Sequence, residues 1–557
     1  QQSVLQQVLQ RFVGPTPGQT FNSSNMGAGT NINSAQLHAL ASIQRNLQDY
    51  ARTDPRVAQT NKERGEITAA GQNSRFNSIT IDGVTISDTF GLEGNNLPTL
   101  KQPISIDAIQ SAQVNLSNYD ITQKGYTGAN INAVTKSGTN ELKGSVYYVY
   151  RDGNMVGQRF NRTDGSYADA PGFKEDTKGF TLGGPLIADK LFFFASHEEL
   201  KSTRSAPDFG PVGDSKTNVA ITPDALAKAA QIAAGYSLNG QPVDVGSFSI
   251  PSGSQLVVKD SLLKLDWTVN DNHRANLRYT RTEQSEPIFP NIGASVLSLN
   301  SNWYSQGKQI ETVVGQWFGD WTPAFSTEAK LSYRSYESVP VNNTTLPQIT
   351  LNFLNALPTG MPATTPNNRS LIFGTERSRH FNELRTKTTD AFFAGNWALG
   401  AHEIKGGVDH SRNEVFNAFL QDIYGNYTFR CINSSASFAY SFGAINCGTA
   451  TAAQVEAAVL ENFQRGRPFT YAVNTPAAGK TLADGAAAWS LASTGLFLQD
   501  TWAVSKQLTL TGGLRVDTQS TADKPLYNAA AAAALVAGNA ATKTKQSGGF
   551  EIGRAHV

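Results

Sequence analysis

No apolar run in this sequence approaches the roughly 20 residues that a membrane-spanning helix needs. The longest candidate, residues 529–537, is short and rich in alanine. Charge of one sign is also lacking, because 46 Lys and Arg oppose 45 Asp and Glu across 557 residues. A nearly neutral chain has no global attraction for nucleic acid. A chain of this kind could cross a membrane only as a β-barrel, because an open sheet leaves backbone groups unpaired in lipid.

Motifs for catalysis are missing as well. There is no Ser/His/Asp grouping, no P-loop and no GxGxxG after a predicted strand. Three Gly-Gly pairs lie in predicted strands, and no helix start follows them, as phosphate binding would require. The seven histidines are scattered, and His402 and His410 are too far apart along one predicted hairpin to share a metal ion. We therefore predict no enzyme activity, catalytic residue, cofactor or metal site.

The most informative segment that is present covers residues 126–151, YTGANINAVTKSGTNELKGSVYYVYR. Its first half is compact and polar, whereas the second half alternates strictly from Leu142 onward. Leu142, Val146 and Tyr148 share one face of this predicted strand, and Tyr147 lies on the other. A strand of about ten residues with this alternation suits a membrane barrel that meets lipid on its outer face. The segment predicts a junction between a small domain and a first barrel strand.

Beyond residue 141 the chain repeats one unit, which is a strand, a tight turn, a second strand and a long polar loop. Five such hairpins and the first strand give about eleven strands, each near the roughly nine to eleven residues that cross a bilayer. The long connections cover residues 199–256, 282–306, 338–384 and 416–490. Short turns on one rim and long loops on the other are typical of bacterial outer-membrane barrels, and a soluble sandwich would rarely contain such loops.

Four further segments accompany the junction. They are FNSITIDGV (76–84), QPISIDAIQSAQV (102–114), GFTLGGPLIADKLFFFASHE (179–198) and GLFLQDTWAVSKQLTLTGGLRVD (495–517). Together and in this order, the five segments resemble TonB-dependent outer-membrane receptors, especially the Oar-like group with its frequent carboxypeptidase-regulatory-like domain. The resemblance implies a mainly β fold, an antiparallel transmembrane β-barrel with an N-terminal α/β plug domain, in the bacterial outer membrane.

This resemblance implies a domain division. Residues 1–140 are predicted to form the plug, which is incomplete at its N-terminus, and residues 141–550 the first half of the barrel. About eleven strands are half of the 22 known for plugged transporters. Residues 551–557, EIGRAHV, match the translation of a common sequencing adapter and predict a non-native tail. No signal peptide is visible, so we expect a mature or truncated start, and the strand count and the tail together predict a fragment. Within the plug, residues 34–51 predict one helix capped by Ser34.

The two cysteines, Cys431 and Cys447, lie in the longest predicted external loop. Their even number, close spacing and secreted context favour a disulfide, which would contribute about 3 kcal/mol by closing the loop between them. Free thiols or a metal pair are the alternatives, although no CxxC or nearby histidine cluster supports metal. Aromatic residues of the loops could stack on sugars or hydrophobic ligands, or could pack on one another: Trp303, Tyr304, Phe353, Phe373, Tyr424, Tyr427, Phe438 and Tyr440.

Three residues of the predicted plug could bind ligand or take part in gating: Asp82, Gly83 and Lys136. A structural role is the better interpretation, with Asp-Gly forming a turn and Lys136 pairing or facing the barrel wall. The sequence does not identify substrate-binding residues.

The resemblance implies a receptor that binds an extracellular solute and imports it with energy from the TonB–inner-membrane complex. Its other predicted partner is outer-membrane lipid, with no nucleic acid. A non-transporting surface-adhesion protein is the alternative, and a soluble periplasmic β protein is a third reading. Glycans, peptides and metal chelates are all compatible with the sequence as solutes.

Overall fold

The computed structural model describes residues 29–40, 42, 45–61, 65–117, 119–162, 164–169, 172–203, 208–250, 254–523 and 552–556. Residues 1–28 of the predicted plug and residues 524–550 of the predicted barrel lie outside these ranges. Residues 551 and 557 of the predicted tail also lie outside them. In the described part of the chain, no helix is both long enough and apolar enough to cross a membrane. Strands dominate, and they form one large sheet and several small ones.

An α/β unit, here called the N-terminal unit, spans residues 29–135. Its helices are α1 (Ser34–Ala39) and α2 (Leu47–Ala51). Its strands are β1 (Gly29–Asn33), β2 (Val57–Asn61), β3 (Glu66–Ala69), β4 (Ser78–Ile81), β5 (Val84–Thr85), β6 (Ile109–Asn115) and β7 (Asn130–Thr135). Five of them form a sheet in the order β1-β6-β7-β4-β5, in which only β4 and β7 pair in parallel.

The prediction of one helix over 34–51, capped by Ser34, is wrong. Asn33 caps α1, since its side chain accepts from the backbone N–H of Gln36 and the Gln36 side chain accepts from the backbone N–H of Asn33. Asn46 starts a second helix by accepting from Asp49. Between them Arg45 has φ +51°, a left-handed conformation that cannot continue an α-helix.

The large sheet is an antiparallel meander of eleven strands in chain order, which confirms the mainly β class and the expected number of strands. They are β8 (Lys143–Asp152), β9 (Lys174–Ile187), β10 (Leu191–Ser202), β11 (Leu256–Asn270), β12 (His273–Ile288), β13 (Tyr304–Thr322), β14 (Phe325–Asn342), β15 (Phe381–Leu399), β16 (His402–Leu420), β17 (Ala487–Ala503) and β18 (Thr509–Ser520). The backbone of Ile552–His556 adds a short strand beside β18, and the sheet is open.

Most of these strands are longer than predicted. All except β8 have 12 to 19 residues, and a strand of 19 residues extends roughly 60 Å at about 3.3 Å per residue. The hairpin partners stay paired well into the long-loop side, as in Tyr304↔Asn342 and Phe381↔Leu420. Alternation of hydrophobic residues marks only the middle of such a strand, which is why the sequence underestimates its length.

The two faces of the large sheet differ as the alternation predicts. On one face large apolar side chains are exposed, with Val146 at 89% and Leu331 at 61%. On the other face the strands carry charged and polar side chains that are buried, among them Arg278, Arg334 and Arg515. The N-terminal unit covers this polar face, here called the inner wall.

The long connections are not simple polar loops. Four of them contribute to a loop domain with helices α3 (Pro223–Ala234) and α4 (Ala452–Gln464). Its sheet has the strand order Val296–Ser298, Arg369–Phe373, Gln348–Phe353, Asn426–Arg430 and Thr470–Ala472. A separate apolar core, which includes Leu351, Phe353 and Val459, holds these elements together. Three two-residue pairings complete the loops: Arg159–Phe160 with Tyr167–Ala168, Phe209–Gly210 with Thr217–Asn218, and Ser237–Leu238 with Gln241–Pro242.

The junction between the N-terminal unit and β8 is fixed to the β9–β10 hairpin. Asn140 exchanges two hydrogen bonds with Asp189, one to the carboxylate and one from its backbone N–H. A Cβ atom on Gly138 would lie 3.0 Å or less from three backbone atoms of Gly184 and Phe193. The backbone of the junction therefore contacts the backbone of the wall directly, which only glycine permits.

We expect Gly138→Ala to destabilise the fold by about 1–3 kcal/mol, because two backbone segments must separate to admit the methyl group. Gly315→Ala is the matched control, since a Cβ on this wall glycine meets no atom within 4 Å. Denaturant unfolding of both purified variants measures the difference. Equal midpoints would contradict the close junction packing.

Candidate functional site

The interface between the N-terminal unit and the inner wall is the candidate functional site. Wall side chains from β8 through β18 reach the unit through many hydrogen bonds and ion pairs, and apolar clusters around Phe90, Leu100 and Phe194 add to them. Charged groups this well buried are expensive unless they are paired. The arrangement of the pairs therefore defines how the unit is held.

Asp82 is at the centre of the first group of contacts. Its Oδ2 lies 2.7 Å from Nη1 of Arg278, a wall arginine that is only 2% exposed. The same carboxylate accepts from the backbone N–H and the hydroxyl of Thr135 at 2.8 and 2.9 Å. Lys264 of the wall donates in turn to Thr135 and Ser137 at 3.1 and 3.0 Å. Asp82 thus joins two strands of the unit to two strands of the wall.

The predicted Asp-Gly turn is present, and it places the Asp82 carboxylate against the wall. Asp82 and Gly83 have φ +50° and +73°, the left-handed pair of a tight hairpin turn between β4 and β5. The structural role predicted for Asp82 is incomplete, since the side chain also carries the contact to the wall. The backbone N–H of Lys136 bonds to the carbonyl of Ala108, and burial lowers the pKa of its ammonium group.

A second group of contacts lies nearer the long loops. Arg334 donates to the carbonyl of Thr85 at 2.9 Å and to the hydroxyl of Thr89 at 2.5 Å. Tyr336 donates to the carbonyl of Pro98 at 3.0 Å. Lys308 forms an ion pair with Glu93. Wall strands β13 and β14 thereby hold the 85–98 segment of the unit.

A third group joins the unit to the first wall strands. Oε2 of Glu198 accepts from the hydroxyls of Ser105 and Tyr147 at 2.9 and 2.7 Å. Arg45 lies 3.2 Å from the same carboxylate and also pairs with Asp107. One buried wall carboxylate therefore meets three donors, two of which come from the N-terminal unit.

A fourth group lies at the opposite edge of the wall. Asp409 pairs with Arg515 at 2.5 Å and with Lys124 of the unit. Lys405 pairs with Asp120 at 2.5 Å. Burial acts to raise the pKa of Asp120, but the charge of Lys405 and the hydrogen bonds from Lys405 and Thr122 together lower it. The contacts therefore extend across the whole sheet and hold the unit at both of its sides.

Sequence reasoning missed these wall residues. Arg278, Arg334 and Asp409 were not singled out, although a signal exists in the strand alternation. Each occupies the face opposite the exposed apolar residues, and a charged side chain on that face needs a partner from inside. The pair Glu198-Glu199 predicts solvated carboxylates at a strand end, and for Glu198 this interpretation is wrong, since Glu198 is buried. The pairing partners themselves, such as Thr89 or Ser105, carry no such signal in the sequence.

The loop domain contains the predicted disulfide pair and most of the loop aromatics. Cys431 and Cys447 are bonded in the structure, with their Cα atoms 5.9 Å apart. Phe353, Phe373, Trp303 and Tyr440 are buried, so these rings pack within the domain rather than present faces to solvent. Tyr424 is the most exposed ring of the eight considered, at 38%.

The histidines are dispersed, and His402 and His410 each contact a side chain on the neighbouring strand. His402 pairs with Asp500 at 2.7 Å, and His410 lies 2.8 Å from the hydroxyl of Thr494. Within the described ranges, no three His, Cys, Asp or Glu side chains are grouped to hold a metal ion. His380 is buried in the loop domain, where its ring nitrogens meet the carbonyl of Thr375 at 3.1 Å and the backbone N–H of Tyr424 at 3.2 Å.

Comparisons with known proteins agree with this architecture. The outer membrane beta barrel domain family matches residues 134–549. The TonB-dependent transporter Oar from Myxococcus xanthus is 26% identical over 276 residues, which are 48% of this chain and 23% of that protein. The matched region is thus less than a quarter of that relative's length.

Two solved structures share the fold. The outer membrane transporter YddB from Escherichia coli has a TM-score of 0.58 at 12% identity, over 88% of this chain and 57% of that one. The siderophore receptor PirA from Acinetobacter baumannii has a TM-score of 0.50 at 14% identity, over 91% of this chain and 60% of that one. At these identities the likeness concerns the fold alone.

We expect Asp82→Asn to destabilise the protein by about 3–5 kcal/mol, because it leaves the buried Arg278 guanidinium without a counter-charge. Glu337→Gln is the control, since the Arg385–Glu337 pair at 3.0 Å is half-exposed and should contribute about 0–1 kcal/mol. Denaturant unfolding compares the two variants. A loss for Asp82→Asn no greater than for the control would contradict the central role of this pair.

Acid should weaken the loop domain through His380. Burial lowers its pKa, so the neutral ring is the form that the fold stabilises and Nδ1 can accept from Tyr424. The contribution is present above the ordinary histidine pKa of about 6.5 and is lost as the pH falls below that value. Thermal unfolding at about pH 7.5 and about pH 5 should show the loss in the wild type and in His410→Asn, and a smaller loss in His380→Asn.

Proposed function

Because the chain belongs to the outer membrane beta barrel domain family, we propose that it is the plug-and-wall portion of a TonB-dependent transporter. In this proposal the N-terminal unit is the plug, and the eleven-strand sheet is the first half of a larger barrel that closes around it. The protein belongs to the bacterial outer membrane. The transporter would import an extracellular solute with energy delivered by the TonB–inner-membrane complex.

The buried polar interface is the observation that carries this proposal. Apolar packing would hold a permanently fixed domain without the desolvation cost of buried charges. Here the unit is attached through Asp82–Arg278, Glu93–Lys308 and Asp120–Lys405. Water can replace such partners when the unit moves, so these charges need not remain unpaired after displacement.

The geometry also indicates which step needs energy. The unit covers the inner wall from β8 to β18, so passage along the wall requires that some of these pairs break. Each broken buried pair costs several kcal/mol until water solvates both groups. Solute binding alone can shift the plug only by its differential affinity for the two states. Energy delivered through TonB supplies the rest of the free energy that is needed to break the pairs.

Cysteine accessibility tests the proposal in the producing bacterium. Ser105 is 2% exposed and donates to Glu198 of the wall, so Ser105→Cys should react with a maleimide only when the plug moves. The native cysteines are paired in a disulfide and do not react. We expect labelling that depends on an energised, intact TonB complex.

Cysteines at two control positions define full labelling and no labelling. Ser166 is exposed, and Ser166→Cys should label under every condition. Ser298 is fully buried in the loop domain, and Ser298→Cys should remain unlabelled. If Ser105→Cys labels equally with and without TonB, the transport proposal fails, and a non-transporting adhesion protein becomes the better account.

A further inference from the structure

The five-stranded sheet of the loop domain has two edges, and only one of them is covered. At the covered edge, two of the three residues of Val296–Ser298 are buried, and Ser298 donates to the carbonyl of Pro290 at 2.6 Å. At the other edge, Thr470–Ala472 pairs with Asn426–Arg430 on one side and with no described strand on the other. All three of its residues are exposed. The sheet therefore ends in a strand whose outer side is open.

The open edge is short, but its sequence does nothing to keep a further strand away. Edges that must stay free often carry charged residues, proline or a bulge. Residues 469–473, FTYAV, contain no charge and no proline, and Pro468 lies just before them. The pairing with the neighbouring strand shows no bulge. Phe469, Tyr471 and Val473 are large and exposed. This edge can therefore accept another strand.

The outer side of the strand offers backbone groups rather than a cavity. Along an edge strand, alternate residues direct their N–H and C=O groups away from the neighbouring strand. These groups repeat at roughly 6.8 Å, which is twice the rise of about 3.4 Å per residue. Another extended backbone presents acceptors and donors at the same repeat, whereas the hydroxyl groups of a glycan do not. The geometry therefore favours an extended peptide as the ligand.

Charge indicates one further feature of that peptide. Arg430, on the strand that pairs with the edge, lies over the ring of Phe469. Among the described residues no carboxylate forms an ion pair with Arg430, whereas Arg465 is paired with Glu461 at 3.0 Å. A guanidinium group can bind a carboxylate through two parallel hydrogen bonds. An acidic side chain of the peptide would therefore find a partner beside the edge.

We propose that the open edge binds an extended acidic peptide, whose backbone pairs with residues 469–473 and whose carboxylate contacts Arg430. On one face of the sheet, the ring of Tyr471 packs on Tyr427 at 4.6 Å. The ring is thus held in place before binding and flanks the side chains of the added strand. The proposal rests on the proposed function, because it names the class of solute that such a transporter would receive.

Calorimetry with synthetic peptides and the purified chain in detergent tests the backbone pairing. The parent peptide is acetyl-Glu-Thr-Val-Thr-Val-Thr-amide, and two derivatives carry N-methyl groups on either its odd or its even residues. Because only alternate amides of an added strand face the edge, we expect one derivative to bind like the parent and the other to lose at least about tenfold in affinity. An equal effect of both methylation patterns, or no binding of the parent peptide, would overturn the proposal.

Variants assign the binding to the edge. Tyr471→Ala should weaken the parent peptide about fivefold, since it removes the ring beside the added strand. Tyr167→Ala is the matched control, because Tyr167 is another exposed tyrosine that packs on a ring, Phe160 at 5.2 Å. Arg430→Gln should weaken the parent peptide about tenfold and leave the peptide with Gln in place of Glu unchanged. Unchanged affinity for the parent peptide in either edge variant would contradict the assignment.

Sedimentation of the purified chain distinguishes a peptide from a second copy at the same edge. A dimer that forms with rising concentration and that Tyr471→Ala dissociates, together with no binding of the parent peptide, would assign the edge to self-association and overturn the proposal. We expect the chain to sediment in the same way with and without this substitution.

The peptide test and the transport test fail separately. Calorimetry on purified protein involves no TonB, so absence of peptide binding leaves the maleimide result at position 105 intact. Conversely, a chain that binds the parent peptide but shows no TonB-dependent labelling retains its peptide site and loses its proposed role as a transporter.

Discussion

A charged side chain buried on the inner face of the sheet must find a partner, and the rest of the structure follows from that constraint. Arg278, Arg334 and Arg515 are each 5% exposed or less. No neighbouring strand alone satisfies Arg278 or Arg334, because their described partners include Asp82, Thr85 and Thr89 of the N-terminal unit. The buried wall arginines therefore depend on the unit for partners, and the order of the strands determines where each segment of the unit lies.

The most extensive apolar surfaces lie outside this interface. Apolar side chains are exposed on the outer face of the sheet, which suits contact with lipid. The loop domain has an apolar core of its own. Between unit and wall, apolar clusters around Phe90, Leu100 and Phe194 accompany the ion pairs. The interface is thus mixed, and breaking its polar contacts costs less once water enters.

The sequence predicted the parts that depend on local periodicity. Alternation from Leu142 identified β8, and the repeated hairpins gave the number of strands, because period-2 patterning follows directly from a two-faced sheet. It could not give the lengths of β13 to β16, whose paired ends lie outside the alternating region. It also missed the loop domain, since Leu351, Leu371 and Val459 come from different connections and are recognisable as one core only in three dimensions. Asp82 was found through a motif, whereas its partner Arg278 required the fold.

The interface between unit and wall and the core of the loop domain are separate parts of the molecule, and single strands connect them. β14 carries Arg334 and Tyr336 against the unit and then continues to Asn342, where the connection enters the loop domain. β16 carries Lys405 and Asp409 and leads toward Asp422, which is paired with Arg377 in the loops. The core of the loop domain is independent of these ion pairs. The backbone pairing of the connecting strands resists extension. In the proposed transporter, solute binding in the loops and displacement of the unit are therefore separable events, and the energy for displacement has to act on the unit itself.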